Sequence, residues 1–195
     1  PESLKGMAKF HLNHGTTTMY PTTNTASLEK IFSIIDFFKK IRLEISGPNL
    51  PGVHLEGPFI SEFQAGAMNM DFICKPKKED INVIKSYSDV IARITAAPEV
   101  EGTLEMAKNL KDTGIVMSAG HSNATYEDML KAMENGYSHI THLFSATSTV
   151  RRVNAYRVSG IIETAFLQDE LTVEIIGDLR HLPVELVKLI YKIKG

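Results

Sequence analysis

The sequence predicts an α/β protein with a parallel sheet, because short strands and helices alternate along the whole chain. Short apolar runs are followed by segments in which apolar residues recur every three or four positions, the period of an amphipathic helix. The runs are mostly apolar, which is typical of parallel strands covered on both faces. No linker, low-complexity segment or fixed repeat interrupts the 195 residues, so we expect one domain.

The expected strands are the short apolar runs, several of which are bordered by glycine or proline. In chain order they are 16–23, 50–57, 90–99, 115–122, 137–146 and 171–178.

Capping signals mark the expected helices between these strands. Ser27 is a suitable N-cap for the second helix, which ends in lysine and arginine. Gly15, Gly114 and Gly136 follow periodic segments and are typical of helix ends. In chain order the helices are expected at 3–15, 27–42, 77–89, 101–114, 125–136, 155–168 and 183–195.

Composition excludes several classes of protein. Charged residues make up 23% and hydrophobic residues 43%, with a net charge of -2, which is ordinary for a soluble globular protein and lacks the basic excess of a nucleic-acid binder. No apolar run is long enough to cross a membrane, and the polar, helical pattern of PESLKGMAKF predicts no signal peptide. Cys74 is the only cysteine, so we expect a free thiol and a reducing, cytoplasmic location.

Two architectures fit this alternation, an open doubly wound sheet and a (β/α)₈ TIM barrel. An open sheet that binds a dinucleotide would carry G-x-G-x-x-G after a strand, and the sequence contains no such motif. A barrel gathers its chemistry from the carboxyl ends of several strands. The residues at those ends therefore decide between the two.

Candidate metal ligands stand at the ends of three expected strands. These are Glu56, His121 and His142, while Asp178 ends the last strand and His181 follows it. A carboxylate and two imidazoles suit zinc, iron or a similar divalent ion, and such a cation would neutralise Glu56 in a closed site. Any one of them alone could be structural, but their recurrence in successive βα units favours a shared site.

The other strand histidines are expected to be structural. His54 shares a strand face with Glu56, where core packing is favoured over support of a ligand. His139 lies three residues before His142 and is expected on the opposite face, packed or hydrogen-bonded beneath a helix. His181 is expected in a loop, where it could touch a substrate.

Several motifs together carry a resemblance to a known family. They are GTTTMYPTTNTAS, GVHLEGPFI, APE, SAGHSNATYED, THLFSA and HLPVELVKLIYKIKG. Along essentially its whole length the chain resembles the N-acetylglucosamine-6-phosphate deacetylases of the amidohydrolase superfamily. HLEGPF, GHSNA and THLF are its most specific motifs.

The resemblance implies a partial (β/α)₈ TIM barrel of the metal-dependent hydrolase type, roughly strands 2–7 with their helices. Residues 1–195 would form a single section of the catalytic barrel. The family's first strand, its eighth strand and its β-sandwich domain are expected outside this chain. The implied reaction is metal-dependent hydrolysis of the acetamide of N-acetylglucosamine 6-phosphate to glucosamine 6-phosphate and acetate. The implied cofactor is a divalent ion, zinc or iron, and the intact enzyme is expected to form a homodimer that binds neither nucleic acid nor membrane.

The resemblance also implies roles for individual residues. Glu56, His121 and His142 match the metal ligands, and His181 matches the catalytic histidine that polarises the acetyl carbonyl. The expected substrate contacts are Ala67, Ser145 and Ala146 through the backbone, and Arg151 and Arg152, with Arg157 nearby, for the phosphate.

The sequence departs from the family pattern at identifiable places. Met68 stands where the family has a substrate-side histidine, Ser145 where it has asparagine, and the usual DGxH is DLRH, ending at His181. The family's catalytic aspartate, the general base, belongs to the eighth strand, and Asp178 is a disfavoured substitute for it. We therefore expect this section alone to be nearly inactive.

Two other functions stay open. One is a different metal-dependent amidohydrolase, acting for example on cyclic amides. Such enzymes often carry a carbamylated lysine where this chain has Glu56. The other is a non-enzymatic, truncated fragment that binds metal or sugar phosphate.

Overall fold

The structure, a computed structural model, describes residues 1–195 and contains a parallel sheet of six strands in the order β1-β2-β3-β4-β5-β8. The remaining two strands form an antiparallel hairpin. The strands are β1 (Thr22–Thr23), β2 (Val53–Glu56), β3 (Ile91–Ala96), β4 (Val116–Ala119), β5 (Tyr137–Ile140), β6 (Arg151–Val153), β7 (Tyr156–Val158) and β8 (Thr172–Val173). Strands that follow one another in both chain and sheet are the arrangement of a barrel wall, so the sheet is a partial (β/α)₈ barrel.

Helices connect the strands of the sheet. They are α1 (Glu2–Asn13), α2 (Leu28–Ile41), α3 (Lys78–Ser86), α4 (Thr103–Leu110), α5 (Tyr126–Glu134), α6 (Ile161–Leu167) and α7 (Val184–Lys194), and short 3₁₀ turns occur at Arg42–Glu44, Glu62–Gln64 and Met70–Phe72. The capping signals of the sequence act as expected: the Ser27 side chain accepts from the Lys30 N–H at 3.3 Å. No helix is both long and apolar enough to span a bilayer.

The two faces of the sheet differ in chemistry. Successive right-handed crossovers between neighbouring parallel strands place the helices on one face. The side chains that face the helices are apolar and buried, including Leu55, Ile94, Met117 and Ile140. They form one continuous core with apolar residues of three helices: Ile31, Ile35 and Phe38 of α2, Met106 and Leu110 of α4, and Met129 of α5. The expectation of apolar residues on both faces is therefore wrong, because only the outer face meets helices.

The inner face of the sheet is polar. Register pairs His54 with Arg93, and Thr95 with Ser118, so these side chains point to the same side. Arg93 forms an ion pair with Glu174, and the His139 Nε2 lies 3.6 Å from the same carboxylate. Burial raises the pKa of Glu174, but the nearby imidazole of His139 and the charge of Arg93 outweigh burial and lower it to about 2. The barrel interior therefore holds charge that is paired across strands.

Three of the expected elements differ in the structure. The helix expected at 155–168 covers only Ile161–Leu167, because the residues before it form the β6–β7 hairpin around Asn154, whose φ is 56°. The strand expected at 171–178 ends at Val173, and Asp178 instead closes a turn by accepting the backbone N–H groups of Arg180 and His181. The first expected strand is reduced to Thr22–Thr23.

We expect the 195-residue chain to associate in solution, because β1 and β8 are sheet edges with backbone groups open to another strand. Sedimentation equilibrium should give a mass above the 21.6 kDa of one chain, rising with protein concentration. A monodisperse monomer that unfolds cooperatively and reversibly without added metal would contradict this.

The charge of Glu174 is expected to stabilise the fold in a pH-dependent way. Its pKa falls from the ordinary 4.5 to about 2 on folding, so the contribution is complete above about pH 4.5 and is lost as the pH drops through about 2. Glu174→Gln should lower the thermal midpoint by about 2–4 °C near neutral pH, a small value because the side chain is partly solvated.

Circular dichroism melts at one protein concentration, recorded at several pH values, measure this effect. The exposed Glu170, changed to Gln, is the matched control. An effect of Glu174→Gln that stayed constant down to about pH 2 would refute the pairing with Arg93 and His139.

Candidate metal centre

Three predicted ligands meet at the carboxyl edge of the sheet. The Glu56 Oε1 lies 3.0 Å from the Nε2 of His121 and 2.8 Å from the Nε2 of His142, and the two nitrogens are 3.2 Å apart. The imidazole rings are nearly perpendicular, with an interplanar angle of 81°. These side chains, distant in sequence, therefore offer one oxygen and two nitrogens to a single point.

Strand geometry explains why they converge. Glu56 is the last residue of β2, while His121 and His142 follow the ends of β4 and β5, which lie side by side in the sheet. Both histidines have positive φ, 47° for His121 and 33° for His142, a conformation that is uncommon for residues other than glycine. Such backbone strain is found where a side chain must be aimed at a functional site.

Backbone carbonyls fix which nitrogen of each imidazole is free. The Nδ1 of His121 lies 2.8 Å from the Gln64 carbonyl, and the Nδ1 of His142 lies 2.9 Å from the Ser145 carbonyl. A carbonyl oxygen only accepts, so each Nδ1 carries a hydrogen and donates it. The Nε2 lone pairs are then directed toward Glu56, as in metal sites whose histidines are oriented by outer hydrogen bonds.

The electrostatics of the cluster favour a positive charge at its centre. Burial raises the pKa of Glu56, but the two imidazoles of His121 and His142 beside it outweigh burial and lower the pKa to about 2. Burial lowers the pKa of His142, but the neighbouring carboxylate more than offsets this and raises it. Either a proton on Nε2 or a metal cation can supply this positive charge. Only the metal cation can contact the Glu56 oxygen and both imidazole nitrogens at once.

The spacing of the three atoms fits a metal ion. Zinc bonds of about 2.0–2.1 Å at tetrahedral angles separate neighbouring ligands by about 3.3 Å. The separations here, 2.8 to 3.2 Å, are close to that value. The donor set of one carboxylate and two imidazoles is also common for divalent transition metals.

A second carboxylate holds the turn that carries His121. Glu99, which follows β3, accepts from the Ser122 hydroxyl at 2.6 Å and from the Asn123 N–H at 2.5 Å. The Asn123 Oδ1 in turn accepts from the Gln64 side chain at 2.8 Å. Sequence reasoning did not assign Glu99 a role, although its position just after a strand was the available signal.

Among the predicted substrate contacts, Ser145 lies beside the ligands, since its carbonyl accepts from His142. The Ala146 carbonyl accepts from the Ser122 N–H at 3.0 Å, next to His121. Ala67 is exposed and follows Gly66, which lies close to the His121 ring. These backbone segments surround the three ligands.

The predicted arginines and His181 lie farther out. An Nη of Arg151 donates to the Asn123 carbonyl at 2.9 Å, and its other Nη is buried without a hydrogen-bond partner. Arg152 is exposed on the hairpin and bonds the Asn154 carbonyl. His181 is also exposed and pairs through Nδ1 with Asp178 at 2.8 Å, with no hydrogen bond to the three ligands.

The remaining strand histidines take part in hydrogen bonds on the inner face. His54 is buried and lies 2.7 Å from the Thr95 hydroxyl. His139 is 2.7 Å from the Thr172 hydroxyl, so the expectation that it lies beneath a helix is wrong. Both are polar members of the barrel interior, because alternate residues of each strand face that way.

Relatives of known name cover most of this chain. A protein named N-acetylglucosamine-6-phosphate deacetylase from Lysinibacillus sphaericus is 32% identical over 94% of this chain and 47% of its own length. The chain spans about half the length of the curated relatives it matches.

Solved structures share the fold. The N-acetylglucosamine-6-phosphate deacetylase of Pasteurella multocida superposes with a TM-score of 0.89 at 29% identity, over 100% of this chain and 50% of that one. The corresponding protein of Thermotoga maritima gives a TM-score of 0.87 at 36% identity, over 97% of this chain and 50% of its own. The model of the amidohydrolase family matches residues 1–178. The chain therefore belongs to the amidohydrolase family.

Proposed function

We propose that this chain carries the metal centre of a deacetylase that hydrolyses N-acetylglucosamine 6-phosphate to glucosamine 6-phosphate and acetate. The observation that carries the proposal is the convergence of Glu56, His121 and His142 at the carboxyl edge of a barrel sheet. Relatives over nearly the whole chain bear the name of this activity. The free, half-buried Cys74 suits a reducing cytoplasm, where we propose that the protein acts as a homodimer.

Zinc or iron is the metal we propose for this centre, held by Glu56 and by the Nε2 atoms of the two histidines. When bound, such an ion polarises a carbonyl oxygen and lowers the pKa of a coordinated water toward about 7. Both effects are needed because an amide is a poor electrophile and neutral water a poor nucleophile.

His181 is the residue we propose to polarise the acetyl carbonyl. Backbone N–H groups of His181 and Arg180, followed by the His181 ring, lower the pKa of Asp178 to about 2, so this carboxylate stays charged. It accepts from Nδ1 of the ring and fixes its orientation. In the proposed role the ring carries a hydrogen on both nitrogens, so that Nε2 donates to the carbonyl oxygen and stabilises the charge that develops there.

The β6–β7 hairpin is the segment we propose for the phosphate. Arg151 is anchored to the Asn123 carbonyl, and its second Nη is a buried donor that an anion could satisfy. Arg152, on the same strand, would add a second positive charge. Ser145 and Ala146 come between His142 and this hairpin in the sequence, and Ala67 follows Gly66, which lies beside the His121 ring, so their backbone is proposed to contact the sugar.

The general base is proposed to come from a barrel strand outside this chain. Asp178 is poorly placed for the role, because its oxygens already accept from two backbone N–H groups and from His181. Strand β8 has a free edge at which further barrel strands could pair. We therefore propose that 1–195 is one section of a larger catalytic barrel.

A different amide substrate is the second candidate. Met68 replaces a histidine on the substrate side of the family's site, and Ser145 replaces an asparagine. The first change removes a polar side chain that could bond the sugar, and the second replaces an amide by a shorter hydroxyl, while the three proposed metal ligands are kept. The metal chemistry would then act on another amide.

The metal proposal predicts that His121→Ala or His142→Ala removes most of the bound metal. Each change deletes one of the converging donors, so affinity should fall by at least about tenfold, given that even outer partners of metal ligands account for 10–100-fold. Elemental analysis of purified variants measures zinc and iron per chain. His11→Ala, on the exposed surface of α1, is the matched control. Unchanged metal content in both ligand variants would exclude this centre.

The activity proposal predicts little turnover by the 195-residue chain alone. Loss of a general base reduces rates by about 10²–10⁴-fold. Acetate release from N-acetylglucosamine 6-phosphate should therefore be that much slower than with the Lysinibacillus sphaericus relative assayed in parallel with saturating metal.

Turnover equal to that of the relative would show that a base lies within the chain. The activity of Asp178→Asn would then show whether Asp178 is that base. If a longer protein containing this chain failed to hydrolyse the sugar with or without its phosphate, the second candidate function would replace the first.

A further inference from the structure

A continuous row of hydrogen bonds links three strands and the residue after a fourth, beneath the candidate metal centre. The Nε2 of His54 lies 2.7 Å from the Thr95 hydroxyl, Thr95 lies 2.6 Å from the Thr141 hydroxyl, and Thr141 lies 2.6 Å from the Ser118 hydroxyl. The four side chains are at most 5% exposed. We call this row the hydroxyl chain. It joins β2, β3 and β4 to the residue that follows β5.

The direction of these hydrogen bonds is set at one end. Thr22 donates its hydroxyl hydrogen to the Tyr20 carbonyl at 3.0 Å, so toward the His54 Nδ1, 3.4 Å away, it acts as an acceptor. Nδ1 then carries the hydrogen and Nε2 accepts from Thr95. Thr95 must in turn accept from Thr141, and Thr141 from Ser118. Each hydroxyl of the chain thus donates in one direction.

The hydroxyl chain is directly connected to the three ligands. His54 lies two residues before Glu56 on the same strand, and Thr141 is the residue before His142. Gly120, which precedes His121, packs so closely that a Cβ there would lie 2.9 Å from side-chain atoms of both Thr95 and Thr141. Shifts of these two threonines would therefore be transmitted to all three ligand-bearing strand ends.

We propose that Thr95 is a positioning residue for the metal centre, acting through the hydroxyl chain to set the spacing of Glu56, His121 and His142. This inference rests on the proposed metal site and names a residue whose hydroxyl bonds to His54 and Thr141 and not to the three ligands. Thr95 is suited to the role because it is the central link, bonded on one side to the strand of Glu56 and on the other to the residue before His142.

The test compares Thr95→Val with Thr95→Ser in the 195-residue chain. Valine has nearly the shape of threonine but leaves the His54 Nε2 and the Thr141 hydroxyl without their partner, whereas serine keeps the hydroxyl. Thr164→Val is the matched control, since Thr164 is fully buried on α6 and its hydroxyl also makes an internal hydrogen bond. Zinc and cobalt affinities are measured by competition with a chelator, and the visible spectrum of bound cobalt reports the coordination geometry.

Thr95→Val should weaken metal affinity by about tenfold and alter the cobalt spectrum, as for loss of a residue that orients ligands. Thr95→Ser should restore both, and Thr164→Val should change neither. If Thr95→Val bound metal as tightly as Thr164→Val, with an unchanged spectrum, the positioning role would be overturned. If the unsubstituted chain bound no metal, the proposed metal site would be disproved, and the positioning role of Thr95 would be disproved with it.

Circular dichroism shows whether each variant is folded. Should Thr95→Val not fold, Ser118→Ala removes the last donor of the hydroxyl chain and is compared with Thr164→Val in the same way. Weaker binding by Ser118→Ala supports the proposal, and equal binding overturns it.

Discussion

The structure depends on a charge balance at one point, where a carboxylate and two imidazole lone pairs face one another. Glu56 is largely buried and ionised, and the hydrogen bonds that the two Nδ1 atoms donate to backbone carbonyls turn both Nε2 atoms toward it. Three acceptors in contact repel unless a cation lies among them. Bringing the carboxylate and the two imidazoles together costs electrostatic energy, and the turns at His121 and His142 add backbone strain. A cation bound among the three groups would offset both costs.

Below the three converging side chains, the polar inner face of the barrel also pairs hydrogen-bond donors with acceptors and positive with negative charges. Beneath the three converging side chains lies the hydroxyl chain, in which every donor has an acceptor, and beside it Arg93 and Glu174 form an ion pair. Buried polar groups are stable only when satisfied, so each layer restricts how the strands can shift relative to one another. The outer face needs no such pairing, because the apolar contacts between strands and helices, unlike hydrogen bonds, do not depend on the orientation of the groups.

The sequence predicts which side chains converge better than it predicts the groups that support them, for a physical reason. Glu56, His121 and His142 can be found because strand ends are visible in the apolar pattern and parallel strands bring their carboxyl ends together. The carbonyls of Gln64 and Ser145 leave no such signal, since every residue has one. The pair of Arg93 and Glu174 joins positions far apart in sequence and appears only when the register is known.

Local conformation also limited the prediction near the hairpin. The segment 155–168 has a helical pattern of apolar residues, yet its first half pairs back on Arg151–Val153 through a left-handed Asn154. The backbone of Gly160 packs against Ser148 too closely for any side chain, which fixes where the helix can begin. The rigid strands thus present the proposed metal ligands, while the hairpin and the turn at Asp178, which depart from simple periodicity, carry the groups proposed to bind the substrate. In the proposed enzyme, such a division would let the metal chemistry persist while the loops determine which amide reaches it.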